Sequence, residues 1–350
     1  MSWYAIESVD DAIEATRSFL FPVELSTWLK LALISIFVGV GGGGISSVSN
    51  LGGVPSETPS DPATQPSAGA PAEQMPDLVP TDPAVIAAIV GVVFLFILAL
   101  TLLSETLRLV LYDALRTQTV RLRKPFRRRF GQAVRLFGFK LGVSAAFAIP
   151  FVVIGATIAL TGFDLGGGPA LIVGALLAAV IGILSFIAYL VINRATNEFV
   201  APIMVLTDSG VLDAWRQFWP VLRGNLAQFG VYVVVHFLLL LAISIGQSIL
   251  AVIILGIVGT VGGLIGLLLV VGIFGGLGAT LASTAGLVAI GLLVALTLLA
   301  MFVLFLPINI VVLTYVFSYE LSVLGAADED LRLLPDSSED STAPASTSSV

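Results

Sequence analysis

From Gly224 to Tyr319 the chain carries no Lys, Arg, Asp or Glu, and its one imidazole, His236, lies in that stretch. A run of about 20 apolar residues is enough to cross a bilayer, so this segment alone holds at least two crossings. The whole chain follows suit. Hydrophobic residues make up 57% and charged residues 11%, against about 25% charged in an ordinary soluble domain. The sequence reads as an integral membrane protein, an all-α polytopic transmembrane helix bundle.

Five spans are expected at roughly 27–44, 84–113, 138–161, 170–193 and 228–255. The remainder, 256–319, holds either two crossings or one long crossing with a Gly-rich re-entrant piece. Six spans is the favoured count and seven the competitor. Residues 114–140 hold nine bases and no acid, whereas 50–83 hold five acids and no base. The positive-inside rule therefore assigns the basic loop 114–137 to the cytoplasm and the loop 50–83 to the outside. The N-terminus is then cytoplasmic and, with six spans, so is the C-terminus, in a multi-pass cell-membrane protein. Residues 1–26 read as an amphipathic cytoplasmic segment and 27–325 as the membrane domain. The loop 50–83 and the acidic Ser/Thr-rich tail 326–350 are too poor in apolar residues to fold. The net charge of −7 would suit a high-salt habitat.

Three amphipathic segments feed spans in a similar way. Ala15, Arg17 and Phe19 precede Pro22 and Val23; Ala214, Arg216 and Phe218 precede Pro220 and Val221; Phe126, Phe130 and Phe137 interleave the basic run. Three spans also end alike, in Glu105, Glu198 and Glu320, at intervals of 93 and 122 residues. The excess of 29 residues points to a Gly-rich insertion near 256–285 in a threefold repeat.

Charges near membrane depth are costly and gather on bundle interiors or wet cavities. Glu105 and Arg108 share a helix face at spacing i, i+3, and Arg194 and Glu198 share one at i, i+4. With Glu320, these residues are candidates for a polar vestibule; the alternative is charges that snorkel to headgroups. Arg123, Lys124, Arg127, Arg128, Arg129 and Arg216 are candidates for anionic lipid headgroups, and a juxtamembrane cluster of this kind needs no nucleic acid to explain it. His236 reads as a ring hydrogen-bonded to a neighbouring helix. The pairs Gly262/Gly266 and Gly272/Gly276 suit close helix packing, oligomerisation or a broken helix. Asp208 or Ser209 is expected to cap the helix that follows. Cys is absent and His single, which excludes disulfides, thiol nucleophiles and His-cluster metal sites and leaves only carboxylate-rich ones. No phosphate loop, nucleophile elbow or zinc-protease motif is present, and no cofactor is assigned.

The stretches Glu105–Arg108, Arg123–Arg129, Phe199–Met204 and Ala214–Pro220 together resemble an uncharacterised family of haloarchaeal multi-pass membrane proteins. More distantly, the layout is similar to the membrane domain that precedes some glycerophosphodiester phosphodiesterases, without their catalytic domain. The resemblance implies no functional residues. The expected function is a non-enzymatic organiser of lipid or of a protein partner. The alternative is a small-solute transporter or channel with a cytoplasm-facing vestibule.

Overall fold

The computed structural model describes residues 4–41, 82–161 and 169–334, and every regular element among them is helical. In order these are α1 (Tyr4–Leu20), α2 (Leu25–Gly41), α3 (Pro83–Thr117), α4 (Arg123–Thr161), α5 (Pro169–Ala195), α6 (Ala201–Thr207), α7 (Val211–Gly224), α8 (Leu226–Leu267), α9 (Leu277–Ala282) and α10 (Thr284–Ala327). Wider π turns, Thr196–Val200 and Leu268–Ile273, follow α5 and α8. A helix satisfies its own backbone, which is what hydrocarbon requires of any segment it surrounds. Among the described residues, five stretches are long and apolar enough to cross a membrane: Pro83–Thr117, Arg123–Ile149, Ala179–Thr207, Leu226–Ile273 and Thr284–Ala327. A shorter apolar helix covers Leu25–Val38.

Two expectations need correction. The basic segment is not a loop over 114–137: α3 runs on to Thr117 and α4 starts at Arg123, so only a short connection separates them. Arg and Lys are good helix formers, and their charge alone gives the helix no reason to stop. The region 256–285 is largely helical. It is the distal part of α8, its π turn and the short α9. Finally, the acidic tail does not leave the fold at 326. Leu331 and Leu333 are buried after a 3-10 turn at Glu329–Leu331. Residues 50–81 and 335–350 lie outside the described residues.

Packing is concentrated at one end of the bundle. The buried core gathers the last turns of α3 (Leu107–Leu115), the π turn with α6 (Phe199–Val205), the inner face of α7, the first turns of α8 and the last turns of α10. Helix α1 closes this hub. Ala5, Ser8, Ala12, Thr16 and Phe19 recur at helical spacing on its buried face, and the Tyr319 hydroxyl donates to the Ala5 carbonyl at 3.0 Å. The small residues let α1 lie close against α10. Its acids Glu7, Asp10, Asp11 and Glu14 face outward. Away from the hub the helices turn large apolar side chains outward, such as Phe94–Ile97 on α3, Leu184 on α5 and Leu238 on α8.

Helices α8 and α10 form an antiparallel hairpin of unusual length. Leu226–Ile273 spans 48 residues and Thr284–Ala327 spans 44, or about 72 and 66 Å at 1.5 Å per residue. The hydrocarbon core of a bilayer is only about 30 Å thick. Gly262 and Gly266 sit where the two helices meet: a Cβ on Gly262 would stand 2.9 Å from Thr297 Oγ1, and one on Gly266 would stand 3.2 Å from Leu293 Cδ2. The packing role expected for that pair therefore holds. The second pair differs, since Gly272 faces open space and Gly276, at φ +138°, belongs with Gly275 to the hairpin turn. At the tip, the Ser283 side chain accepts from the Gly286 amide at 3.0 Å.

A Cβ at Gly286 would collide with the Thr280 carbonyl. Gly286→Ala is expected to destabilise the protein by about 1–3 kcal/mol, as overpacking does. Gly263→Ala, helical and facing open space, is expected to be neutral or to stabilise by up to about 1 kcal/mol. Thermal unfolding of both variants in one detergent checks this pair; equal behaviour would contradict it.

Candidate functional site

Pro202 explains the local geometry around Glu198. It has no N–H to offer the carbonyl four residues back and clashes with it. The helix widens into the π turn Thr196–Val200 just before this proline, a distortion often found at functional sites. The turn points Glu198 inward. The Asn197 carbonyl accepts from the Tyr112 hydroxyl of α3 at 3.0 Å.

Four helices deliver polar groups to this point. On α3, Glu105 and Arg108 are 4% and 8% exposed, and Glu320 on α10 is 6% exposed. Of the five vestibule candidates, Glu105, Arg108 and Glu320 are buried and Glu198 nearly so, while the Arg194 side chain is 36% exposed. Their pairing is partly as expected. Arg194 meets Glu198 at 2.8 Å. Glu105, however, pairs with Lys140 of α4 at 2.5 Å and not with Arg108. The Arg108 Nε has no partner despite its burial. Glu320 has only a long contact, 3.4 Å from its Oε2 to the Tyr112 hydroxyl, whose proton is directed at Asn197.

His236 completes the cluster. It is buried one turn beyond Tyr232 on α8. The Tyr232 hydroxyl lies 2.7 Å from Glu198 Oε2 and 2.9 Å from His236 Nδ1. A neutral hydroxyl has one proton. Spent on the carboxylate, it leaves Tyr232 to accept from His236 Nδ1–H, and the lone pair then sits on Nε2. That atom lies 4.0 Å from Glu198 Oε1, too far for a hydrogen bond. One ligand atom each from Glu198, His236 and Glu320 lie within 4.8 Å of one another. These residues could hold a metal ion.

Sequence reasoning missed Tyr112, Tyr232 and Lys140. Tyr232 had a visible signal, since it precedes His236 by four residues and so shares its helix face. Phe199 packs between Phe218, Phe229 and Tyr232 at centroid distances of 5.2, 5.2 and 5.1 Å, which seals the cluster on the α7 side.

The headgroup candidates divide. Arg123, Lys124 and Arg127 are exposed at the start of α4, and Arg216 is exposed on α7, 3.5 Å from Asp213. Arg129 is not a surface residue. At 1% exposure it meets Asp113 at 2.6 Å and Asp208 at 2.5 Å and donates to Gln132 at 3.0 Å. Arg128 pairs with the same Asp208 from outside. The expectation that Asp208 or Ser209 caps α7 also fails, because Gly210 occupies the N-cap position without a side-chain cap. Asp208 instead ends α6 in a left-handed conformation, φ 52°, which Asp tolerates better than most residues.

Partial burial pushes the Asp208 carboxyl up, but the Arg128 hydrogen bond and the charges of Arg129 and Arg128 outweigh it and hold the carboxyl below the usual range. Folded, Asp208 therefore binds fewer protons than unfolded. Its stabilisation is present above about pH 4 and is lost as pH falls through the depressed folded value. Asp208→Asn keeps a residue that tolerates the left-handed backbone and removes the charge. Its unfolding temperature is expected to fall below wild type at pH 7, with the gap closing on acidification. An unchanged gap across the titration would show the ion pairs to be inert. Arg129→Met, which strands Asp113, is expected to cost about 3 kcal/mol or more, measured by the same unfolding curves at pH 7.

Comparison with known proteins gives one match. Residues 3–334 match the model of DUF7544, a family of unknown function. No curated protein matches, and no solved structure matches. The haloarchaeal source and the likeness to phosphodiesterase membrane domains find no support among these comparisons. The match covers all the described helices, from α1 through the turn after α10, and on that extent the chain belongs to the DUF7544 family.

Proposed function

We propose that the protein is a non-enzymatic, multi-pass membrane protein that organises anionic lipid at the face where α4 begins. The observation that carries this reading is the continuity of α4. Exposed Arg123, Lys124 and Arg127, with half-buried Phe126 and exposed Phe130, run without a break into a helix long and apolar enough to enter a membrane. Such a helix holds its bases at headgroup level and its rings in the interface. The positive-inside rule assigns that face to the cytoplasm. Each base near an anionic surface contributes about 1 kcal/mol of attraction.

The second reading, a small-solute transporter or channel built on Glu105, Arg108, Arg194, Glu198 and Glu320, draws on their convergence in the bundle. It lacks polar continuity. Beyond the cluster, from Phe237 to Thr314, α8 and α10 carry no ionisable residue, and the outward-facing parts of α3 and α5 are dominated by Val, Leu, Ile and Phe.

Replacing Arg123, Lys124 and Arg127 together by Gln is expected to weaken retention of anionic lipid about 100-fold at low salt, from three contributions of about 1 kcal/mol each. The measurement is native mass spectrometry of protein released from vesicles of mixed phosphatidylglycerol and phosphatidylcholine. Unchanged retention would sink the lipid reading. Solute or ion flux in proteoliposomes that disappears in a folded Glu198→Gln variant would establish the transporter instead.

A further inference from the structure

The structure assigns a divalent-cation site to Glu198, His236 and Glu320, at the junction of the π turn, α8 and α10. The inference is independent of the lipid reading. It starts from the three ligand atoms within 4.8 Å of one another, one from each element. An acidic pair alone would not suffice; the imidazole adds a separate observation. His236 is 4% exposed, its Nδ1 is engaged by Tyr232, and its Nε2 looks toward the carboxylates without a hydrogen bond. A metal-bound histidine is held in just this way, with the far ring nitrogen fixed by an outer partner that sets tautomer and orientation. Tyr232 does more, because the same hydroxyl also holds the second oxygen of Glu198.

The donor set defines the ligand class. Two carboxylates and one imidazole suit first-row divalent ions of intermediate hardness, Mn²⁺, Fe²⁺ and Zn²⁺, more than soft ions that seek thiolates. Three protein ligands leave further positions to water. Ligand atoms bonded to one ion at about 2.0–2.2 Å stand closer together than 4.8 Å, so binding asks for rotamer adjustment in Glu320, which only the long Tyr112 contact restrains. Two cations oppose the ion. Arg194 already pairs with Glu198, and the Arg108 charge acts on both carboxylates. The site is therefore tuned toward modest affinity, and Arg108 becomes its charge control. A bound ion would tie three elements, distant in sequence, at one point of the hub.

The test uses the full chain, purified in detergent after chelator treatment and dialysed against buffered free Mn²⁺ or Zn²⁺. Bound metal is counted by mass spectrometry of the digested sample, and thermal unfolding is followed alongside. Wild type is expected to bind about one ion per chain and to unfold at a higher temperature with it. His236→Gln and Glu320→Gln are expected to weaken binding at least tenfold, and Tyr189→Phe, outside the cluster, to leave it unchanged. Arg108→Gln is expected to bind at least as tightly as wild type, an outcome no purely structural role predicts. If Glu320→Gln does not fold, His236→Gln decides. No saturable binding by wild type, or equal binding by folded His236→Gln, overturns the site. Glu320→Gln that matches or exceeds wild-type stability, with no metal effect on either, would reveal a shared proton in place of a cation.

Discussion

A cation withdrawn from water has to be met by an anion, and this chain has few of either to spare inside its apolar bundle. That constraint organises the fold. Leaving a buried charge unpaired costs several kcal/mol. The inward charges accordingly meet near one end: Lys140 with Glu105, Arg194 with Glu198, and Arg129 with Asp113 and Asp208. Arg194 and Glu198 pair one turn apart on the same helical run, and the other pairs join α3 to α4 or α4 to the end of α6. The helices are apolar on nearly every face and have little preference of their own for a neighbour. The ion pairs, and the aromatic cluster around Phe199, supply that preference.

Hydropathy made the long helices legible, because a helix in lipid has to be apolar throughout and the period of its faces matters little. The same uniformity hid how the helices pair. Partners such as Glu105 and Lys140 lie 35 residues apart, and the i, i+3 rule offered Arg108 instead. Arg128 and Arg129 looked equivalent in a basic run. On a helix, adjacent residues point about 100° apart, so one faces outward and the other inward to Asp113. Nothing in the run itself says which, since the deciding partner Asp208 is 79 residues downstream.

The three Glu positions singled out in the sequence lie short of their helix ends or in the π turn and behave differently from one another. Glu198 and Glu320 come together beside His236, while Glu105 is drawn toward Lys140. The threefold spacing expected from the sequence thus has no common set of contacts behind it.

That hairpin has no marks by which a bilayer could hold it in register. Between Phe237 and Thr314 it carries no Trp, Tyr, Lys or Arg, the residues that normally pin a helix to the two interfaces. Its depth is set at one end only, where Tyr232, His236 and Tyr319 enter the hub. The hairpin is a mast fastened at its foot alone: its distal glycine turn, where Gly275 and Gly276 meet no close neighbour, carries no side chain of the kind that fixes a helix at an interface.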